Sequence, residues 1–131
     1  MNTLDVQTSS RVELVDLSAG VKEVVGRSGV REGLCHVFVP HTTAGVTINE
    51  AADLDVRRDL VTALEALVPD HGQFRHAEGN SPAHVKATLV GPSVTVPVSS
   101  GQLALGTWQG LYFCEFDGPR SRKVHVTVVG A

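Results

Sequence analysis

The chain is poor in the residues that mark disulfide-rich, secreted or membrane proteins. Its two cysteines, Cys35 and Cys114, lie inside apolar runs, which favours buried reduced thiols over a disulfide or a metal pair. No apolar run approaches the roughly 20 residues of a transmembrane helix. The first residues, Met1 to Asp5, lack the basic and apolar segments of a secretion signal. We therefore expect a cytoplasmic protein that is not embedded in a membrane.

Positive charge and glycine-rich phosphate loops are also scarce. Eleven Lys and Arg residues are scattered against fourteen Asp and Glu residues, so no basic field predicts a nucleic-acid partner. No Walker loop, GxGxxG or Gly-x-Ser-x-Gly sequence is present, which argues against a nucleotide cradle and a serine nucleophile. With 42% hydrophobic and 19% charged residues, the 131-residue chain is typical of one folded domain over residues 1–131.

Three segments have the pattern of helices. Ser18 is placed to cap the first, which Gly29 ends, and its inward residues are Val21, Val24 and Val25. The second runs from Asp53 to Val68, with a single apolar stripe made of Leu60, Val61, Leu64, Leu67 and Val68. In the third, Ser81 is the expected cap, Pro82 takes the first position, and the residues expected to face inward are Val85 and Leu89.

Alternating or β-branched runs fill most of the remaining chain and predict strands. They are Thr3–Thr8, the stretch around Val12–Leu14, Leu34–Val39, Val46–Glu50, Val94–Val98, Leu103–Leu105, Gly110–Phe116 and Lys123–Val129. Ser99, Ser100 and Gly101 indicate a tight turn between two of them. Strands joined by hairpins, with two or three helices packed on one side, predict an α+β sandwich of antiparallel sheets.

Three histidines occupy positions from which binding side chains are often presented. His41 follows an apolar strand and Pro40, His76 lies in the polar loop of residues 70–80, and His84 begins the third helix. Their spacing lets three imidazoles converge on a divalent metal, with Zn²⁺ the first candidate and Mg²⁺ the second. An alternative for His84 is a position beside a helix N-terminus, which depresses its protonation without any metal.

The other three histidines have simpler interpretations. His36 lies within a strand, as a hydrogen-bonded core histidine would, and His125 alternates with Lys123 and Thr127 as a solvent-facing residue would. His71 is a loop residue and a second choice for the site.

Two arginines and several neutral donors suggest an anion site. Arg120 and Arg122 alternate after Gly118-Pro119 and can present two guanidiniums in one direction, which suits phosphate or carboxylate. The hydroxyls and amide that can add bonds to the same anion belong to Thr42, Thr43 and Asn80. Glu115 lies in an apolar strand and has two interpretations, a catalytic carboxylate or the partner of one of these arginines.

These residues fall within three long motifs that resemble those of the secondary thiamine-phosphate synthase, or YjbQ, family. The first motif is residues 41–50, HTTAGVTINE. The second is HAEGN at 76–80 with AHVK at 83–86, and the third is GQLALGTWQG at 101–110 followed by EFDGPRSR at 115–122. Their order matches that of the family and their spacing is compatible with it, apart from a shorter stretch between Gly79 and Ala83, and the similarity extends from about Thr3 to Gly130.

The resemblance implies a homotrimer with pockets between subunits and a transferase activity. That activity joins hydroxymethylpyrimidine diphosphate to thiazole phosphate and releases pyrophosphate, as a main or a side reaction. Transferred by motif, His41, His76 and His84 become metal ligands, and Glu115 and Glu50 become catalytic residues. The residues expected to bind a small phosphorylated metabolite are Arg120, Arg122, Thr42, Thr43, Asn49 and Asn80. The alternative is a non-catalytic homotrimer that binds a small phosphorylated or anionic metabolite.

Overall fold

The structure, a computed structural model, describes residues 1–70, 74–76 and 78–131. Within these ranges the chain forms eight strands and three helices: β1 Asn2–Gln7, β2 Glu13–Asp16, α1 Ser18–Ser28, β3 Gly33–Phe38, β4 Ala44–Glu50, α2 Leu54–Leu67, α3 Ser81–Val90, β5 Ser93–Ser99, β6 Gln102–Leu103, β7 Gln109–Glu115 and β8 Ser121–Gly130. None of the helices in the described ranges is both long and apolar enough to span a membrane.

The strands form two antiparallel sheets, which confirms the predicted α+β architecture. One sheet has the order β1-β8-β3-β5-β6 and the other has the order β2-β7-β4. Side chains from both sheets and from α1 share one core, while α2 and α3 cover the outer face of the smaller sheet. Strand β7 is the central strand of the smaller sheet and contributes to both hydrophobic clusters, with Leu111 and Phe113 in the inter-sheet core and Tyr112 and Cys114 under the helices. Burial on both faces explains its unbroken apolar sequence.

Helix α1 keeps its predicted face but starts differently. Val21, Val24 and Val25 are buried, and Gly29 ends the helix with a φ of +71°. Ser18 is the first helical residue and not the cap. Its backbone N–H donates to the Asp16 carboxylate at 2.8 Å, and its hydroxyl accepts the backbone N–H of Leu111 at 3.0 Å. The serine thus joins the helix to β7.

Helix α2 begins where the sequence predicts and covers the smaller sheet with part of its predicted stripe. Asp53 caps it by accepting the backbone N–H of Asp55 at 2.9 Å. Leu60, Val61 and Leu64 pack on the sheet. Leu67 was predicted to lie in the stripe but is 73% exposed, because the helix ends there and the following residue, Val68, is the one that turns into the core.

Helix α3 contacts the smaller sheet with a different face from the one predicted. Val85 and Leu89 are 39% and 61% exposed, whereas Ala83, Lys86 and Ala87 are buried. The prediction was wrong because the end of α3 is hydrogen-bonded to β4, and this contact turns the face with Ala83, Lys86 and Ala87 inward. The backbone N–H of Val46 donates to the Gly91 carbonyl at 3.1 Å, and a Cβ at Gly45 would lie 2.7 Å from that oxygen. The N-cap is Asn80, and Ser81 is the first helical residue.

Both cysteines are buried and free, as predicted. Burial raises the pKa of the Cys35 thiol to about 11 and that of the Cys114 thiol to about 12. Neither thiol is therefore a nucleophile at neutral pH, because the reactive form of a cysteine is the thiolate.

Lys86 is a buried charge that links α3 to α2. Its side chain is 1% exposed, and its ammonium lies 3.7 Å from a carboxylate oxygen of Glu65. Glu65 also pairs with Arg11, from the segment between β1 and β2. The carboxylate thus holds two cations from different parts of the chain and compensates the burial of Lys86.

We expect Glu65→Ala to lower the free energy of unfolding by about 1–3 kcal/mol, because it leaves the Lys86 ammonium buried without its counter-charge. Urea unfolding followed by circular dichroism measures this loss. The matched control is Glu23→Ala, which removes an exposed i,i+4 partner of Arg27 on α1. That change is expected to cost less than about 0.5 kcal/mol. Equal losses in the two variants would contradict the role given to Glu65.

Candidate functional site

Eight of the side chains predicted to form the site line one cavity of about 430 Å³. They are His41, Thr42, Thr43, His76, Asn80, His84, Arg120 and Arg122. The cavity lies where the β3–β4 connection, the start of α3 and the β7–β8 connection meet. The histidines, hydroxyls and guanidiniums of three separate motifs therefore share one space, as the sequence predicts.

The antiparallel pairings bring these distant segments together. Pairing of β3 with β8 carries the chain after Phe38 alongside the start of β8, so that His41 reaches Lys123. Next to it, the backbone N–H of Phe116 donates to the Thr43 carbonyl at 3.1 Å. The cavity is thus built on main-chain hydrogen bonds between strands, which hold its side chains at fixed positions.

A buried ion pair forms the base of the cavity. The Nε atom of Arg122 donates to Glu115 Oε1 at 2.9 Å, and its Nη2 atom contacts Glu115 Oε2 and donates to Thr43 Oγ1 at 2.9 Å. Glu115 also accepts the Thr8 hydroxyl at 2.7 Å and the backbone N–H of Asp117 at 3.1 Å. Glu115 is fully buried and does not line the cavity. Its geometry is that of the structural ion pair.

Hydrogen bonds decide the charge of Glu115. Burial raises the pKa of this carboxyl, but the bonds from Arg122, Thr8 and the Asp117 N–H outweigh burial, so the pKa lies below its usual value. The carboxylate therefore contributes stability that is complete above the ordinary glutamate pKa. That contribution is lost as the pH falls through the lower pKa of the folded state.

The second guanidinium, that of Arg120, lies at the rim. Arg120 is 52% exposed and Arg122 only 5%. They do not form the predicted parallel pair, because β8 begins at Ser121 and Arg120 lies outside its alternation. The Arg120 side chain instead folds back to donate to the Asp117 carbonyl at 2.7 Å and to its carboxylate at 2.9 Å.

Asp117 is a residue of the cavity that the sequence reasoning did not select. Its Oδ2 accepts the Arg120 guanidinium and the Asn80 amide, both at 2.9 Å. Burial raises the pKa of this carboxyl, while the bonds from Asn80 and Arg120 lower it further than burial raises it. The other atom of the Asn80 amide, Oδ1, is buried without a hydrogen bond to the part of the chain that the structure describes. The sequence signal that could have identified Asp117 is the turn sequence Asp117-Gly118-Pro119 between β7 and β8.

Two of the three histidines form a close pair. The rings of His76 and His84 have centroids 5.3 Å apart and stand edge to face. Two imidazoles on one tetrahedral zinc ion have ring centroids roughly 5 Å apart, so this separation fits a shared metal. The His76 Nε2 also lies 3.9 Å from a Glu78 carboxylate oxygen.

His41 is held differently. Its Nε2 atom lies 2.9 Å from the backbone N–H of Lys123 and accepts its hydrogen bond. Burial and the nearby Arg122 guanidinium lower the pKa of His41.

Among residues 1–70, 74–76 and 78–131, no group of three His, Cys, Asp or Glu side chains is arranged to hold a metal ion. The donors present therefore fit two metal ligands at His76 and His84, and the arrangement of His41 does not complete a third.

Asn49 and Glu50 lie outside this cavity. They occupy the far end of β4, which at about 3.3 Å per residue places Glu50 some 20 Å from Thr43. Glu50 borders a wider depression of about 580 Å³ with Asp53, Asp55 and Trp108. The carboxylates of Glu50 and Asp53 accept backbone N–H groups of their own turn. The described residues lining it include no histidine, so we place the candidate site in the histidine cavity.

The remaining histidines are also elsewhere. His36 is exposed on the outer face of the larger sheet and bonds the Thr95 hydroxyl at 3.0 Å, so it is not a core histidine. His125 lies on the same face, partly covered, with its ring stacked on Phe38. His71 lies outside the described residues.

We expect Glu115→Gln to lower the free energy of unfolding by about 3–5 kcal/mol, because the Arg122 guanidinium is left buried without its counter-charge. Urea unfolding at neutral pH measures this loss. The control is Glu78→Gln, which removes an exposed carboxylate from the same cavity and is expected to cost less than about 0.5 kcal/mol. A Glu115 variant as stable as this control would show that the ion pair does not hold the base of the cavity together.

Comparisons with known proteins agree with the motifs. The family model described as UPF0047 protein YjbQ-like matches residues 2–131. The UPF0047 protein YugU of Bacillus subtilis is 44% identical over 131 residues, covering 99% of each chain. A UPF0047 protein of Methanocaldococcus jannaschii is 46% identical, covering 95% of this chain and 91% of the relative.

Solved structures show the same fold. An uncharacterised YjbQ/UPF0047 protein from Clostridium acetobutylicum superposes with a TM-score of 0.97 at 49% identity, covering 98% of this chain and all of the other. A YbjQ-like protein of unknown function from Sulfolobus solfataricus gives 0.95 at 33% identity, covering 99% and 96%. The chain therefore belongs to the YjbQ/UPF0047 family.

Proposed function

We propose that the cavity binds the phosphate groups of a small phosphorylated metabolite and that the protein is a secondary thiamine-phosphate synthase-type transferase. The observation that carries this proposal is the convergence of eight predicted polar side chains on one cavity. Its volume lies at the lower end of the range for small-molecule sites. The proposed substrates, hydroxymethylpyrimidine diphosphate and thiazole phosphate, follow from the family resemblance.

In the proposed reaction the thiazole nitrogen forms a bond to the methylene carbon of the pyrimidine. The carbon–oxygen bond to the diphosphate breaks, and pyrophosphate leaves with the electron pair. The main requirement is to stabilise negative charge on the leaving group with fixed donors. Arg120 at the rim, Arg122 at the base and the hydroxyl of Thr42 are the donors that the cavity offers.

The protein's own charges are nearly balanced around the cavity. The described residues that line or underlie the cavity include two positively charged arginines and three negatively charged carboxylates. The carboxylates are those of Glu78, Asp117 and Glu115. With neutral histidines the set carries one net negative charge, which does not by itself attract a diphosphate. A divalent cation held at His76 and His84, with Zn²⁺ the first candidate and Mg²⁺ the second, would supply the missing positive charge.

We expect pyrophosphate to bind tightly only in the presence of a divalent metal, and His84→Ala to lower its affinity at least about tenfold by removing a metal ligand. Isothermal titration calorimetry with pyrophosphate, with and without Zn²⁺, measures the binding. Pyrophosphate release from the two thiamine precursors then measures turnover.

The control is Glu23→Ala, which removes an exposed carboxylate on α1, away from the cavity. It is expected to bind metal and pyrophosphate like the unsubstituted protein. Tight pyrophosphate binding that needs no divalent metal and survives His84→Ala would contradict the proposed site.

One observation favours a second candidate, a homotrimeric module that binds a small anion without turnover. Neither of the two predicted catalytic carboxylates lies in the cavity, since Glu115 is buried in its pair with Arg122 and Glu50 lies at the far end of β4. Metal-dependent pyrophosphate binding without pyrophosphate release from the two precursors would support this candidate over the transferase.

We also propose the homotrimer and the cytoplasmic location that the sequence predicts. The two free cysteines, both buried, support a reducing compartment. The outer face of the larger sheet supports assembly, because Leu34 and Val129 pair across β3 and β8 with exposed side chains, and Phe38 lies further along the same face. Exposed apolar side chains grouped on one sheet face are typical of a surface that another copy covers.

We expect Leu34→Glu to shift the protein from trimer to monomer, because it places a charge on the proposed contact surface. Size-exclusion chromatography with light scattering measures the mass. Leu67→Glu is the matched control, since it places the same charge on an exposed leucine of α2, away from this sheet. A trimer that persists in Leu34→Glu would show that this face is not the interface.

A further inference from the structure

The hydrogen bond between Lys123 and His41 sets which nitrogen of the imidazole carries a proton. The donor is a backbone N–H in strand β8, and its distance to His41 Nε2 is 2.9 Å. A backbone N–H can only donate, so Nε2 must accept with its lone pair. A side-chain donor could rotate or exchange roles, but this amide cannot.

A neutral imidazole carries one proton, and the proton of His41 must therefore reside on Nδ1. A doubly protonated ring would set an Nε2–H against the Lys123 N–H and leave both without an acceptor. The Nδ1–H makes no hydrogen bond to residues in the described ranges, and it is the group that His41 retains for a ligand in the cavity.

This protonation state conflicts with metal ligation by His41. A ligating nitrogen needs a free lone pair, yet Nδ1 holds the proton and Nε2 has its lone pair directed at Lys123. Binding a cation would require either the loss of the main-chain hydrogen bond or an imidazolate. His76 and His84, whose rings stand 5.3 Å apart, have no such conflict in their described contacts.

We propose that His41 is not a metal ligand but a neutral hydrogen-bond donor that binds an oxygen of the ligand's phosphate through Nδ1–H. This inference rests on the proposed function, because it assigns a role in the same cavity. The ligand atom it requires is an acceptor without a proton, such as an oxygen of a phosphate or diphosphate. Lys123 acts through its backbone as the positioning residue that holds the ring in this tautomer.

The tautomer is tested first in the unsubstituted protein. Long-range ¹H–¹⁵N correlation spectra of ¹⁵N-histidine-labelled protein, with the His41 signals assigned by their absence in His41→Asn, distinguish Nδ1–H from Nε2–H directly. We expect the Nδ1–H pattern at neutral pH, its persistence when Zn²⁺ is added, and a downfield shift of the Nδ1 proton when pyrophosphate is added. An Nε2–H pattern, or a Zn²⁺-induced switch to it, would overturn the inference.

Substitutions separate the role of His41 from that of the metal ligands. His41→Ala is expected to bind as much Zn²⁺ as the unsubstituted protein while its pyrophosphate affinity falls about tenfold to a hundredfold, the value of one hydrogen bond to a charged acceptor. His41→Asn places an amide N–H near the position of Nδ1 and is expected to recover part of the affinity. His84→Ala is expected to lose Zn²⁺.

Failure of this inference differs from failure of the proposed function. Loss of Zn²⁺ in His41→Ala, with folding intact by circular dichroism, would show that His41 is a ligand after all. If neither Zn²⁺ nor pyrophosphate bound to the unsubstituted protein, the proposed function would be wrong and with it the phosphate-binding role of His41. The tautomer seen by NMR would remain a separate result.

Discussion

The ion pair of Glu115 and Arg122 is the interaction on which the candidate site depends. Both groups are buried, and each is stabilised by further hydrogen bonds, from Thr8 to the carboxylate and from the guanidinium to Thr43. A Cβ at Gly118 would lie 2.8 Å from Glu115 Cγ and 2.3 Å from the Ser10 carbonyl oxygen, so the turn beside the pair accepts only glycine. These contacts fix β7, β8 and the β3–β4 connection relative to one another, and the cavity lies above them.

This construction has consequences for the chemistry of the cavity. The guanidinium of Arg122 already balances a carboxylate, and the one of Arg120 balances Asp117. The side chains of the site are therefore held in place, but both guanidinium charges are already neutralised. An anion therefore has to bind together with a cation or through neutral donors. His41 is one such donor, held by a main-chain amide of β8. Neutral N–H groups of fixed direction bind phosphate oxygens by geometry, without the unselective attraction that a net positive charge exerts on anions.

Much of the fold and the composition of the site could be predicted from the sequence. The continuous apolar run of β7 predicted a strand, and burial on both faces explains it. The histidine and arginine motifs, each next to the end of a strand or helix, predicted a shared cavity. The inward face of α3 could not be predicted by apolarity, because the face that packs on the smaller sheet carries Lys86 as well as Ala83 and Ala87.

The sequence by itself determined the element types, the antiparallel α+β class and most of the polar residues around the cavity, with Asp117 as an exception. Alternation encodes the elements, and the motifs carry the polar residues. Tertiary structure alone decided how those residues are used. Glu115 pairs with Arg122, Arg120 turns to Asp117, and Lys123 fixes the protonated nitrogen of His41. Each of these hydrogen-bond pairings depends on how the strands and their connections are arranged in the fold. The partner of a side chain is therefore set by its position in the tertiary structure, which the local sequence pattern does not specify.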